Sequence, residues 1–226
     1  VSDEFAVVIP AAGIGRRMRS YGPKCLVQLA DGRTVLRRQI DLVRQLCPRV
    51  DIVVVVGFEA ERVIRTLPAG VRVVENEHYE ETGVARSIAM GLRATTADRV
   101  LVVYGDLVFN WATLRGIGGT KSVVVVDRCG KMGTAEVGVT VVGQAATHFD
   151  YGLKTKWTGI VLLTGRELAL FKQLAATVDR RRAAGHELLN CIIDRGGEFQ
   201  TVLVDTAELV EIDSGADIKR AREVPL

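Results

Sequence analysis

Short runs rich in valine and isoleucine, Phe5–Ile9, Ile52–Val56, Val71–Val74, Val100–Tyr104 and Ser122–Val126, recur through the first half of the chain. Each is too short for a helix, and β-branched residues suit an inner strand buried on both faces. Between these runs the apolar residues take a helical spacing. Over Thr34–Leu46, residues Val35, Leu36, Ile40, Val43 and Leu46 fall mostly on one stripe, polar residues fill the rest, and Pro48 stops the segment. Glu59–Leu67 and Val84–Arg93 read as further helices. Strand and helix in alternation predict an α/β unit with a mostly parallel sheet.

The second half is less regular. Glu136–Val142 and Trp157–Leu163 read as strands joined by a polar, aromatic connection over Gln144–Lys156. Arg166–Arg182 and His186–Asp194 read as helices, Phe199–Val204 and Leu209–Ile212 as strands, and Ala216–Glu223 as a terminal helix. With 226 residues and no Pro/Ser linker or internal repeat, the expected layout is one domain over 1–226. Residues 1–127 would form its more regular half, and 128–226 the less regular one.

A net charge of +3 is too balanced to argue for nucleic acid or an anionic membrane. Of the 30 basic residues 23 are arginine, so the 7 lysines, Lys24, Lys154 and Lys156 above all, draw notice. Cys25, Cys47, Cys129 and Cys191 show neither zinc-ligand spacing nor a secreted disulfide framework. No apolar run reaches the ~18 residues of a membrane span, and VSDEFAVVIP is unlike a signal peptide. The expectation is a cytoplasmic protein with reduced thiols. The oligomeric state stays open, a homodimer among the options.

The most informative segment is Pro10–Leu26, PAAGIGRRMRSYGPKCL. A buried strand ends at Ile9, and the small residues Ala11, Ala12, Gly13 and Gly15 then let backbone amides approach a ligand closely. Arg16 and Lys24 add cations able to reach polyphosphate. Met18 replaces the third glycine of the dinucleotide fingerprint, and the G-K-[ST] of a Walker loop is absent. A tight turn with solvated arginines is the plainer reading of the glycines alone.

The string AAGxGxRM followed by PKxL resembles the signature of sugar-nucleotide pyrophosphorylase-like nucleotidyltransferases. It is closest to their small bacterial cytidylyltransferase branch, which acts on phosphocholine and related phosphates or phosphonates. The likeness continues in order through NEHYEET (76–82), SIAMGL (87–92), YGDLVF (104–109), KWTGI (156–160) and EIDSGADI (211–218). It implies a single Rossmann-like domain with a mostly parallel mixed sheet flanked by helices, and transfer of CMP from CTP to a small phosphonate or phosphate with release of pyrophosphate. By the same resemblance Ala11, Ala12 and Gly13 would contact base and ribose, and Gly15 and Arg16 the triphosphate. Lys24 would hold phosphate charge, Ser87 would lie near the nucleotide, and Asp106 and Asp213 would share Mg²⁺. Arg16, Lys24 and Asp106 would then carry the catalysis. The chain departs from the pattern at Glu77, where proline is frequent, and at Thr82–Gly83, where asparagine is frequent.

The residues also speak for themselves. Asp106 follows a strand at its carboxyl end, where α/β sheets place ligands, and Mg²⁺ favours one or two carboxylates plus substrate phosphates. Asp213 or Ser214 could equally cap the last helix with Asp217. Lys154 and Lys156 alternate on DYGLKTKWT, so an extended segment would turn both one way, toward an anionic acceptor or along a solvated edge. Arg128 could add a phosphate contact. His78, His148 and His186 are isolated, and Cys25 reads as packing. Two competitors remain: the same fold acting on a sugar-1-phosphate or with another NTP, and a non-catalytic nucleotide-binding subunit. The second would be expected to have lost the charged residues that this chain keeps.

Overall fold

The computed structural model describes residues 4–15, 18, 21–127, 133, 136–177, 181–205 and 208–225. Its first half runs β1 (Phe5–Pro10), α1 (Val35–Leu46), β2 (Asp51–Val56), α2 (Ala60–Ile64), β3 (Val71–Glu75), α3 (Val84–Arg93), β4 (Arg99–Val103), β5 (Leu107–Phe109) and β6 (Val123–Asp127). The second half runs β7 (Val137–Val142), β8 (Ala145–Tyr151), β9 (Thr155–Thr164), α4 (Gly165–Leu174), α5 (Gly185–Ile193), β10 (Phe199–Val204), β11 (Leu209–Glu211) and α6 (Gly215–Glu223).

Nine strands form one sheet in the order β3-β2-β1-β4-β9-β6-β10-β8-β7. The first-half strands β1 to β4 pair in parallel, and β6 is parallel to β10. The return strand β9 is antiparallel to both β4 and β6. The expected parallel sheet therefore holds for the first half, and the second half turns it into a mixed one. Alternate side chains of each inner strand enter opposite cores. Ala6, Val8, Val53, Val55, Val100 and Val102 face α3, α4 and α5, whereas Val7, Ile9, Ile52, Val54, Leu101 and Val103 face α1. Burial on both faces is why these strands read as unbroken apolar runs.

Local chemistry fixes the helix ends. The Thr34 hydroxyl caps α1 by accepting from Arg37 N at 3.1 Å. Helix α4 stops at Leu174, well short of the expected Arg182, because its buried stripe of Leu168, Phe171 and Leu174 ends there. Helix α2 is shorter than expected as well, and the Thr66 hydroxyl donates back to Val63 O at 2.7 Å just beyond it.

Most of the segment expected to be an irregular connection is strand β8. It is hairpinned to β7 through Gly143–Gln144, with Gly143 at φ +63°. The pairing jumps from Thr140–His148 to Val141–Ala146. That bulge spaces the buried Ala146 and Phe149 three apart, which hides the period-two signal of a strand.

Buried Arg38 of α1 ties down the end of the chain. Its guanidinium donates to Phe109 O at 3.1 Å, to Val224 O at 3.2 Å, and to Pro225 O.

Gly91 is where α3 lies against the sheet: a Cβ there would come 2.4 Å from Val8 Cγ1 and 3.1 Å from Val55 Cγ2. Gly91→Ala, which raises helix propensity, is therefore expected to lower stability by about 1–3 kcal/mol through overpacking. A urea midpoint equal to or above wild type would contradict this contact.

Candidate active site

Strand order reverses between β1 and β4, and a crevice opens at their carboxyl ends. A cavity of about 330 Å³ lies there. Ala11, Ala12, Gly13 and Gly15 line it from the loop after β1, and Gly105 and Asp106 from the turn after β4. Backbone bonds hold both loops: Ala11 N donates to Val55 O at 2.8 Å, Phe58 N to Ala12 O at 3.0 Å, and Gly105 N to Pro10 O at 3.1 Å. Gly15 sits at φ +58°, and a Cβ on it would come 3.0 Å from Lys24 Cγ. The lysine stem crosses the loop where only glycine leaves room.

Lys24 follows in a single 3₁₀ turn at Lys24–Leu26 and reaches inward. Its Nζ donates to Asp106 Oδ2 at 3.0 Å and to Asp213 Oδ1 at 2.7 Å. Burial alone would lower its pKa, but the two carboxylates outweigh that and raise it, so the ammonium stays charged.

The pairing of β5 with β11 brings the second aspartate to the first. Glu211 lies opposite Leu107, and Ile212 N donates to Asp106 O at 3.0 Å. Glu211 and Asp213, two apart, both turn toward Asp106, and oxygens of the three carboxylates lie within 4.8 Å of one another. Burial, and then the Asp106 charge, push the Glu211 carboxyl up to about 7, against the pull of Lys156. Lys156 Nζ meets Glu136 Oε1 at 2.5 Å and Glu211 Oε2 at 3.3 Å. Burial opposes its charge, but Glu211 and Glu136 prevail and raise its pKa.

Capping of α6 does not use the Asp213 carboxylate. Asp217 Oδ2 accepts from Asp213 N at 3.0 Å, from Ser214 N at 2.7 Å and from Ser214 Oγ at 2.8 Å. The cap therefore belongs to Ser214 and Asp217, which leaves the Asp213 carboxylate turned to Lys24.

Of the residues singled out in the sequence, Ala11, Ala12, Gly13, Gly15, Lys24, Ser87, Asp106 and Asp213 all line this cavity. Arg16 and Arg128 lie outside the described residues. Lys156 is on β9, an inner strand rather than a solvated edge. Lys154 precedes that strand and is exposed, so the two lysines do not share surroundings. The Cys25 thiol is pushed up to about 12 by burial and by Asp106, so neighbouring Lys24 does not activate it. His78 and His148 are exposed, and His186 packs edge-on against Tyr151.

Tyr79, Thr82, Tyr104 and Glu211 also border the cavity, although the sequence reading gave them no role. For Glu211 a signal was present: a carboxylate two positions before Asp213 in an extended run shares its side. The arrangement offers small-residue amides and an ammonium to a polyanion, and converging carboxylates to a divalent cation.

Comparison with known proteins gives a consistent result. The family model of the MobA-like NTP transferase domain matches residues 7–148. Bifunctional protein GlmU of Lactococcus lactis subsp. cremoris is 42% identical over 107 residues, 46% of this chain and 22% of that protein. The chain thus spans under a quarter of the curated relative's length. Among solved structures, the inositol-1-phosphate CTP transferase from T. maritima superposes with a TM-score of 0.80 at 19% identity, covering 100% of this chain and 99% of the other. CTP:phosphocholine cytidylyltransferase from Streptococcus pneumoniae gives 0.79 at 18% identity, covering 97% and 98%. At these identities the structural matches establish the fold.

The raised Glu211 carboxyl carries a pH signature. Between its ordinary value of 4.5 and about 7, the unfolded chain gives up a proton that the folded protein retains, so stability falls as pH rises through this window and levels off above it. Glu211→Gln is expected to remove that fall. The stability of the variant relative to wild type should rise between pH 4.5 and 7 in urea unfolding, and parallel pH profiles would show that the carboxyl is not perturbed.

Proposed function

We propose that this chain, which belongs to the MobA-like NTP transferase domain family, transfers CMP from CTP to a small phosphate- or phosphonate-bearing acceptor and releases pyrophosphate. The observation that carries this reading is Lys24 held between Asp106 and Asp213 at the edge of a glycine-lined cavity. In this reading the half before residue 128 receives the nucleotide, and the half after it shapes the acceptor side. Ala11, Ala12 and Gly13 would contact base and ribose, Gly15 and, by the resemblance, Arg16 would contact the triphosphate, and Ser87 would lie near the nucleotide.

The carboxylates of Asp106, Asp213 and Glu211 are a hard-oxygen set suited to Mg²⁺, and the Lys24 ammonium drawn between the two aspartates supports their fitness for a cation. Asp106 and Asp213 would hold the ion, with Glu211 beside them. When bound, Mg²⁺ supplies neutralisation of the polyphosphate charge. Lys24 keeps its proton and pairs with phosphate oxygens near the α-phosphorus. The acceptor needs little help from a base, because the second pKa of a phosphate monoester is near ~6 and the group is largely dianionic at neutral pH. Its oxygen bonds to the α-phosphorus in line as the bond to the pyrophosphate oxygen breaks. The protein's task is to hold two repelling anions together and limit water's access, so fixed cations dominate the catalysis.

Lys156 is the described cation we assign to the acceptor. Its ammonium is paired with Glu136 and Glu211, so an acceptor's phosphorus group would compete with those carboxylates for it. The two structural neighbours are named for inositol-1-phosphate and phosphocholine, both small phosphate monoesters, which supports an acceptor of that size.

A pyrophosphate-release assay crossing the four NTPs with phosphocholine, 2-aminoethylphosphonate, other phosphonates and sugar phosphates tests the reading. CTP with a small acceptor should be fastest, while a sugar phosphate in that position would overturn the acceptor assignment. Asp106→Ala should cut kcat by roughly 100- to 1000-fold or more at an unchanged melting temperature, and near-normal turnover would end its proposed role.

Lys156→Ala should raise the acceptor KM about 10-fold or more, the scale of one charge-assisted hydrogen bond, and leave the CTP KM within about 3-fold. Equal effects on both constants would place Lys156 outside the acceptor subsite.

A further inference from the structure

Asn76 follows β3 and is buried, with 3% of its surface exposed. Its backbone N donates to Val56 O at 2.8 Å. Its side-chain Nδ2 lies 3.0 Å from Thr82 Oγ1 and 3.0 Å from Ser87 Oγ. Thr82 Oγ1 in turn donates to His78 O at 2.8 Å. A carbonyl can only accept, so the single proton of Thr82 is spent on His78. Thr82 must therefore accept from Asn76, which turns the NH₂ side of the amide toward both hydroxyls. One amide hydrogen goes to Thr82 and the other to Ser87. Ser87 thus accepts from Asn76, and its own proton becomes the group it can offer to the cavity it lines.

We propose that Asn76 is a positioning residue that sets Ser87 as a hydrogen-bond donor to the nucleotide base, and so determines which base the cavity prefers. This rests on the reading of the cavity as the nucleotide site. A hydroxyl donor matches an acceptor atom on the base edge and mismatches an N–H. Cytosine and uracil differ in this respect at both ring position 3 and position 4. A pocket of fixed polarity leaves a buried polar group unpaired with the wrong base, and that penalty is how such sites discriminate.

The polarity can be reversed without adding bulk. In Asn76→Asp the carboxylate can only accept, so the Ser87 proton is drawn away from the cavity and its lone pairs face the base. Thr82→Val removes the hydroxyl that fixes the amide, leaving Asn76 free to turn over. Binding of CTP and of UTP in Mg²⁺, without acceptor, is measured by titration calorimetry for wild type and each variant, with urea midpoints to confirm folding. The added charge in Asn76→Asp weakens both nucleotides alike, and the ratio of the two Kd values cancels it.

The ratio is expected to shift by at least about 10-fold in Asn76→Asp and to move the same way, by less, in Thr82→Val. In a Ser87→Ala background Asn76→Asp should no longer change it. Ratios unchanged from wild type in both single variants, or a shift by Asn76→Asp that persists without the Ser87 hydroxyl, would overturn the proposal. A wild type that binds UTP better than CTP would instead refute the CTP reading, while a shift of its ratio in the variants would still uphold the role of Asn76.

Discussion

Three carboxylates crowded together repel one another, and the rest of the site is organised around holding them in place. Asp106, Glu211 and Asp213 converge within 4.8 Å, with Lys24 between the two aspartates and Lys156 against Glu211. Neither lysine is in bulk water, and each is held charged by the acids it offsets. A buried cation with such partners is costly to remove, because the acids left behind lose their compensation. That balance gives the cavity two kinds of surface: hard oxygens for a cation, and amides with an ammonium for an anion. A nucleoside triphosphate carrying its divalent ion needs both.

The scaffold supplies the position. The β1–β4 reversal opens the crevice, and the loop after β1 forms one wall, where its small residues line the cavity. The β5–β11 ladder, a minor element of the architecture, decides whether carboxylates far apart in the chain meet. Ser214 and Asp217 contribute by taking over the helix cap and sparing the carboxylate of Asp213.

Much of this was legible in the sequence where a single physical rule governs. Strands buried on both faces announce themselves as valine and isoleucine runs, and α3 was delimited correctly because its stripe is regular. The glycine loop, Lys24, Asp106 and Asp213 stood out by residue type and order. Strand β8 was hidden by the bulge that puts its buried residues out of step. Asn76 was overlooked for another reason: its partners Thr82 and Ser87 leave no local pattern, whereas Glu211 did carry one in its spacing from Asp213, and only the β5–β11 register turns both toward Asp106. Lys154 and Lys156, read together from their alternation in an extended segment, differ in surroundings because β9 begins between them at Thr155.

The latch formed by Arg38 gives the order of assembly a meaning. The guanidinium grips carbonyls of β5 and of the last described residues, so the segment bearing Glu211 and Asp213 is anchored by a helix laid down early in the chain. A chain in which the glycine loop and Asp106 are in place still has only one of the three converging carboxylates until residues 209–217 dock. Bringing the three carboxylates together is thus a property of the folded whole rather than of any one segment.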